Sequence, residues 1–452
     1  MKLKSFQDIP KYTNTIQIGS LYEAGLAKYK ALGPVAQEQI GTGPPIPFVF
    51  IFDPKDMKTL YNIKDEYPAR ISHKALEKYR KDRPNLYSNG GLLPTNDEEW
   101  RRLRMPAQKP MLDDKFPKQF VDVIDRASLD FVAHLKSRPV WDDILEELKK
   151  HFLEITTQVV LGTSLKSLEN EPDALQLIKS AADTNSCILK TDQCESWKTK
   201  ETEDYAIIRK SQEFIEYMAT KCIAERNHLK NNPNIFNAYI QDARLSYQDR
   251  FTLINDFLLA GIETSANTMA FMLYELSKNA ELQNELFDES DKMNLDINTL
   301  KNFRRNFPLA EGIIQENFRF HPISVGVGRS ARQKCQFSGY EIPKETYVVT
   351  QNQVSSRLES YCPYKPNEFC PYRFTQPGYE ALHPGLILPF GFGARRCIGK
   401  KLAETSLRLL LIRLSQAFHL EYVGKYPEEI KCVTKLINEP EYPISLNFCV
   451  RK

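Results

Sequence analysis

Nowhere in the 452 residues does an apolar stretch reach the roughly 18 residues that a membrane-spanning helix requires. The longest runs, near Pro47–Phe52 and Leu407–Leu414, are too short or broken by charge, so a soluble or peripherally bound protein is expected. A charge excess is missing as well. Against 61 Lys and Arg stand 58 Asp and Glu, a net charge of +3, which argues against nucleic acid as the main partner. The nine cysteines are odd in number, scattered and free of CxxC spacing, and the seven histidines form no close pair. That disfavours a disulfide framework and a zinc site and suits a reducing compartment. The opening MKLKSFQDIPKYTN lacks the length, the Arg and Ser content and the scarcity of acids of a transit peptide. No fixed-period repeat and no Gly/Ser- or Pro-rich linker divides the chain.

With 42% hydrophobic residues the chain can bury a large core. Phe48-Val49-Phe50-Ile51-Phe52, bounded by Pro47 and Asp53, suits a strand. From about 97 to 300 apolar residues recur at helical spacings of three and four, and one long helix is expected from about Tyr247 to Ser277. Prolines and β-branched residues return between Phe320 and Phe374, helix resumes from Gly399 to about Phe418, and the tail reads as short strands. The expected fold is mainly α with small β-sheets (α+β). A single domain over residues 1–452 would have helix at about 97–320 and 399–418 and sheets drawn from 30–70, 320–374 and 420–452.

The most informative segment is Leu388-Pro389-Phe390-Gly391-Phe392-Gly393-Ala394-Arg395-Arg396-Cys397-Ile398-Gly399, directly before a helical run. Glycines at such a junction often let backbone approach a flat or charged object. A phosphate loop fits poorly: Ala394 stands for its first glycine and Lys401 for its magnesium-binding hydroxyl. A metal fits better, because the exposed N–H groups and dipole of a helix start favour a thiolate. The other eight cysteines read as small buried hydrophobes.

This loop resembles the haem-binding loop of the cytochrome P-450 superfamily, FxxGxRxCxG, matching at Phe390, Gly393, Arg395, Cys397 and Gly399. The resemblance implies haem b held by the Cys397 thiolate between a long central helix and the helix after the loop. Gly393 and Gly399 would admit the porphyrin, Arg395 would reach a propionate, and Phe390 would shield the sulfur. Further matches occur in order. Glu316 and Arg319, three apart on one helical face, resemble the superfamily's ExxR pair, with Arg373 as third member of a structural lock and Tyr372 where an acid is usual. Ala260-Gly261-Ile262-Glu263-Thr264 resembles the AGxxT oxygen-activation motif. There Gly261 would make room for dioxygen, the Thr264 hydroxyl would loosen the helix ladder, and Glu263 and Thr264 would relay protons. Taken alone, Gly261 reads as a helix-packing glycine. Trp100 and Arg104, on a helix capped by Thr95, Asn96 or Asp97, and Arg329 would contact propionates.

The activity so implied is a monooxygenase acting on O2 and a lipophilic substrate. Glu77 to Asn96 is similar to the mitochondrial class, which draws electrons from an acidic ferredoxin; NADPH-cytochrome P-450 reductase serves the alternative class of the endoplasmic reticulum. Arg395, Arg396, Lys400 and Lys401 suit an acidic donor, whereas Glu311 and Gln315 stand where that class usually carries lysines. Leu76 to Asn96 resembles the arthropod ecdysteroid 22-hydroxylases. That implies a steroid substrate hydroxylated on its side chain and a mitochondrial inner-membrane-associated enzyme. Pocket walls are expected at Ile71–Leu92, Asp256–Thr264 and Ile323–Val327, with Leu436–Pro443 as a lid. A broad-specificity xenobiotic or lipid oxidase and a non-catalytic haem sensor are the competing readings.

Overall fold

Strand-like and helical segments alternate from the start of the chain, as their apolar patterning requires. α1 (Leu21–Leu32) precedes the antiparallel pair β1 (Val35–Gln39) and β2 (Pro47–Ile51), then α2 (Pro54–Asn62) and α3 (Lys74–Lys81). α4 (Asp97–Met111) and α5 (Phe116–Leu135) open the helical block, followed by β3 (Val140–Trp141), α6 (Ile144–Leu161), α7 (Pro172–Gln193), α8 (Glu203–Glu225) and α9 (Ile235–Gln241). α10 (Tyr247–Ala260), α11 (Glu263–Ser277), α12 (Ala280–Ser290), α13 (Ile297–Lys301), α14 (Phe303–Asn306) and α15 (Pro308–Phe320) continue it. The mixed part holds β4 (Gly328–Ser330), β5 (Cys335–Phe337), β6 (Tyr340–Ile342), β7 (Tyr347–Thr350) and α16 (Asn352–Ser355). α17 (Lys400–Ala417), β8 (Phe418–Tyr422), β9 (Cys432–Thr434), β10 (Asn438–Pro440) and β11 (Leu446–Val450) complete the chain. This computed structural model describes residues 4–13, 21–39, 47–63, 65–225, 234–291, 293, 295, 297–376, 382–425 and 429–451.

Two sheets join distant parts of the sequence. The larger runs β1-β2-β7-β4, with β2 and β7 parallel in the register Phe48↔Tyr347 and Val49↔Val348. The other runs β3-β11-β8 and pairs Leu446 with both Trp141 and Tyr422. Between them the helices share one core, to which α5, α6, α11 and α17 contribute the fully buried Phe131, Leu148, Leu273 and Leu410. No helix of the described residues is long and apolar enough to cross a membrane.

The helix expected over Tyr247–Ser277 is two helices. It starts at Tyr247, as expected, behind a reciprocal cap in which Ser246 Oγ accepts from Asp249 N at 3.0 Å and Asp249 Oδ2 accepts from Ser246 N at 2.8 Å. The helix stops at Ala260, and Gly261 and Ile262 carry the turn into α11. A Cβ on Gly261 would lie 2.7 Å from Thr156 Oγ1 on α6. The glycine is therefore required by close helix packing, and the room made for dioxygen is not what this side of Gly261 provides.

Candidate functional site

The loop before α17 is shaped by two left-handed glycines, Gly391 at φ 66° and Gly393 at φ 69°, conformations that side-chain-bearing residues rarely adopt. They carry the chain into a short turn over Gly393–Arg395, and Cys397 N closes the loop by donating to Phe390 O at 2.7 Å. The two motif glycines thus differ. Gly393 is fixed by backbone conformation, whereas a Cβ on Gly399 would meet only Cys397 Sγ, at an ordinary 3.8 Å. The half-buried Phe390 packs edge-on against Phe318 of α15, ring centroids 5.5 Å apart.

Cys397 is exposed by area, yet burial dominates its titration, because the sulfur lies deep in the molecule and faces interior space. Burial pushes the thiol pKa up; the Gly399 N–H, Arg104 and Arg70 pull it back without reversing the shift. The Gly399 N–H at the helix start thus favours the thiolate, as expected, but burial outweighs it. A bound cation at the sulfur is what stabilises a thiolate in such surroundings.

Four guanidiniums converge on the loop. Arg104 of α4 donates to Arg396 O at 2.7 Å, Arg329 of β4 to Phe392 O at 3.2 Å, and Arg70 to Arg395 O at 3.3 Å. Arg395 turns the other way, donating to Pro68 O, to Thr95 O at 2.5 Å and to Asn96 Oδ1 at 2.8 Å, and stacks 4.4 Å from the Trp100 ring. Asn96 is the N-cap residue of α4 but uses its side chain on Arg395 and Arg70 N, not on its own helix. Among the described residues none of the four guanidiniums pairs with a carboxylate. Burial and mutual repulsion hold Arg395 down to about 8 and Arg104 and Arg329 to about 10. A buried guanidinium cluster beside a sulfur, none of it ion-paired among the described residues, fits a group that brings two carboxylates and a metal, as haem does with its propionates. An open cleft of about 700 Å³, lined by Tyr61, Asp65, Arg329, Arg332 and Phe392 among others, leads to this cluster from α2 and β4. Arg70 gave no signal in the sequence, being a single arginine in a loop.

At the junction of α10 and α11, Ala260 is exposed at the end of a buried helix and Thr264 is half-buried one turn on. Thr264 Oγ1 donates to Ala260 O at 2.9 Å, so it engages the ladder where the helix breaks. The buried Glu263 instead faces α7, where its carboxylate accepts from Asn185 Nδ2 at 2.7 Å. Burial raises its pKa, opposed by Asn185 and Lys149.

The expected lock is present. Glu316 and Arg319 are fully buried and bonded through both oxygens at 2.7 Å, and Arg373 Nε lies 3.0 and 3.1 Å from the same carboxylate. Arg319 also donates to Ser356, Pro366 and Glu368 carbonyls, and Arg373 to those of Tyr364 and Lys365. Tyr372 donates to Glu285 at 3.0 Å. Glu311, where a lysine was to be expected, is buried and accepts from Arg408 of α17 at 2.9 Å and from Gln315 at 2.9 Å. Residues 311 and 315 thus serve helix packing.

The sequence matches the cytochrome P450 family model over residues 6–448. It is 36% identical to cytochrome P450 302a1, mitochondrial, of Drosophila melanogaster, over 96% of this chain and 90% of the relative. Identity is 25% to the cholesterol side-chain cleavage enzyme, mitochondrial, of Oncorhynchus mykiss, over 94% and 85% of the two chains. It is 25% to ecdysone 20-monooxygenase of Drosophila melanogaster, over 90% and 79%. Members of the matched family bind haem through a cysteine thiolate. Fold, lock and sequence agree: the chain belongs to the cytochrome P450 family and is a monooxygenase.

Proposed function

We propose that the chain is a single-domain, ferredoxin-dependent steroid hydroxylase of mitochondria, associated peripherally with the inner membrane, with Cys397 as the axial haem ligand. The observation that carries the haem assignment is the convergence of Arg70, Arg104, Arg329 and Arg395, none of them ion-paired with a carboxylate among the described residues, on the loop that bears the Cys397 sulfur. Haem held through a thiolate supplies reductive activation of dioxygen and delivery of one oxygen atom to an unreactive C–H bond.

The protein's own groups do the rest. Arg104, Arg329 and Arg70 would hold the propionates, and Arg395, stacked on Trp100, ties the loop to residues 68–96. Phe390, packed against Phe318, and Gly399, whose Cβ position lies 3.8 Å from Cys397 Sγ, would shape the loop around the ligating sulfur. The Thr264 hydroxyl, beside the exposed Ala260, positions a proton donor, and the buried Glu263 carboxyl holds and releases the proton.

The steroid reading is supported by the likeness to relatives named for cholesterol side-chain cleavage and ecdysone oxidation. It is supported too by the resemblance of Leu76–Asn96 to the arthropod ecdysteroid 22-hydroxylase Disembodied, from which we propose hydroxylation of the side chain at carbon 22. A ferredoxin donor is favoured by the exposed Arg396 and the half-buried Lys400 beside Cys397. Spectral titration of the haem-loaded protein with ecdysteroid precursors and with unrelated lipophiles tests the substrate class. A steroid-selective shift supports it, and a response to unrelated lipophiles alone overturns it.

A further inference from the structure

Asn438 opens β10 directly opposite Thr434 of β9, in an antiparallel pair closed by the turn Lys435-Leu436-Ile437. Its side chain is fully buried and bonded on both ends. Nδ2 donates to Pro322 O at 2.7 Å and to Gln353 Oε1 at 3.0 Å, and Oδ1 accepts from Thr434 Oγ1 at 2.6 Å. The main chain repeats the link, Asn438 N donating to Ile323 O at 2.8 Å. Gln353 of α16 completes the node, since its own N donates to Val325 O at 3.1 Å. One amide thus ties together three segments that are remote in sequence.

Two of these segments flank the reacting end. Residues 321–327 follow α15, whose Phe318 packs on Phe390, and lead into Arg329, which donates to Phe392 O at 3.2 Å, so both ends meet the Cys397 loop. Ser324, Gly326 and Val327 also line one small cavity with Leu388 and Pro389, just ahead of that loop. A Cβ on Gly326 would fall 1.6 Å from Thr350 O, which shows how closely the segment is pressed onto β7. The hairpin stands on the other side. β10 packs against α11, and the charges of Lys435 and Glu439 bear on the Glu263 carboxyl. Ile323, Val325 and Ile437 are half-buried, and none of them belongs to an apolar core of the described residues. Apolar side chains left out of the core on both sides of one node fit the walls of a cavity for an apolar ligand.

A buried polar network with every member satisfied fixes one geometry for the segments it joins, and binding walls keep their shape only when bonds behind them lock it. We infer that Asn438 is a positioning residue for substrate specificity: it holds the Ile437 turn at a set separation from Ile323 and Val325, and so fixes the width of the space the substrate enters between the Cys397 loop and α11. It does this from behind the walls, being itself closed off from that space.

Haem-loaded wild type, Asn438→Asp, Gln353→Leu and Thr434→Val are titrated spectrally with imidazole and with 4-phenylimidazole, which bind haem iron through the same kind of nitrogen and differ by one phenyl ring. The inference rests on the proposed Cys397 ligation but not on the steroid reading, since no steroid enters the test. Thr434 and Gln353 are buried and bonded to Asn438, so their substitution reaches the ligand through the node, and they carry the test if Asn438→Asp fails to fold. Melting temperatures are measured alongside. Asn438→Asp sets a carboxylate against Pro322 O and Gln353 Oε1, so the walls part. Affinity for 4-phenylimidazole relative to imidazole should then rise roughly threefold or more, within what the loss of one buried hydrogen bond supplies, with smaller rises in the other two variants. A ratio that stays at the wild-type value or falls, whatever the melting temperature does, overturns the inference and leaves the node an element of stability alone. A wild type whose reduced carbon monoxide complex lacks the thiolate band overturns the Cys397 reading, and the inference with it.

Discussion

The carboxylate of Glu263 on α11 is held at 2.7 Å by the amide of Asn185 on α7, so the acid beside Thr264 is tied to a different helix from its own. Burial raises its pKa, while Asn185, Lys149 and Lys435 lower it and Glu439 raises it. A carboxyl whose folded pKa is raised favours the folded state below its unfolded pKa, about 4.3, and loses that contribution as pH rises through the folded value. Asn185→Leu removes a bond to the charged form. It should move the upper edge of this window to higher pH and shift the pH profile of product formation the same way. Glu263→Gln should abolish both dependences. Profiles that do not move in Asn185→Leu contradict the assignment.

Thr264 bonds to Ala260 O where the helix breaks, next to an exposed surface. Thr264→Ala should leave steroid binding nearly unchanged and divert consumed electrons from product to hydrogen peroxide. The ratio of product to NADPH oxidised, expected to fall severalfold, measures this; an unchanged ratio removes the proposed role.

Gly261 is pressed against Thr156. Gly261→Ala should destabilise the protein by about 1–3 kcal/mol, the usual range for overpacking. Adding Thr156→Ala should return part of that loss, since the remaining close contact is Phe257 O at 2.9 Å. Strictly additive denaturation free energies would show that the two positions do not touch.

What the sequence made legible follows from how local each feature is. The Cys397 loop is contiguous, and Glu316 and Arg319 are three apart on one helix, so pattern alone finds them. Arg373 needed the resemblance, because it meets Glu316 only after the chain has folded back. Arg70, Asn185 and Arg408 were invisible: each is a single polar residue whose partner lies on another element. The helix break at Gly261 was missed because apolar periodicity continues across it. The roles of Arg395 and Gly399 changed once main-chain acceptors and Cβ space were known.

Arg408 neutralises the buried Glu311, so the acid at that position adds little negative charge to the surface below the cysteine loop. Arg396 is exposed beside it. Arg396→Glu should raise the KM for an acidic ferredoxin severalfold, with kcat little changed and the effect fading at high salt. A KM unaffected at low ionic strength places donor docking elsewhere.

The axial sulfur is the central claim. Reduced, haem-loaded protein exposed to carbon monoxide should absorb near about 450 nm, the signature of thiolate ligation. Cys397→Ser should lose that band while replacement of Cys194, exposed on the surface, keeps it. A well-folded wild type that binds haem without the band, or a Cys397→Ser variant that retains it, would contradict the account.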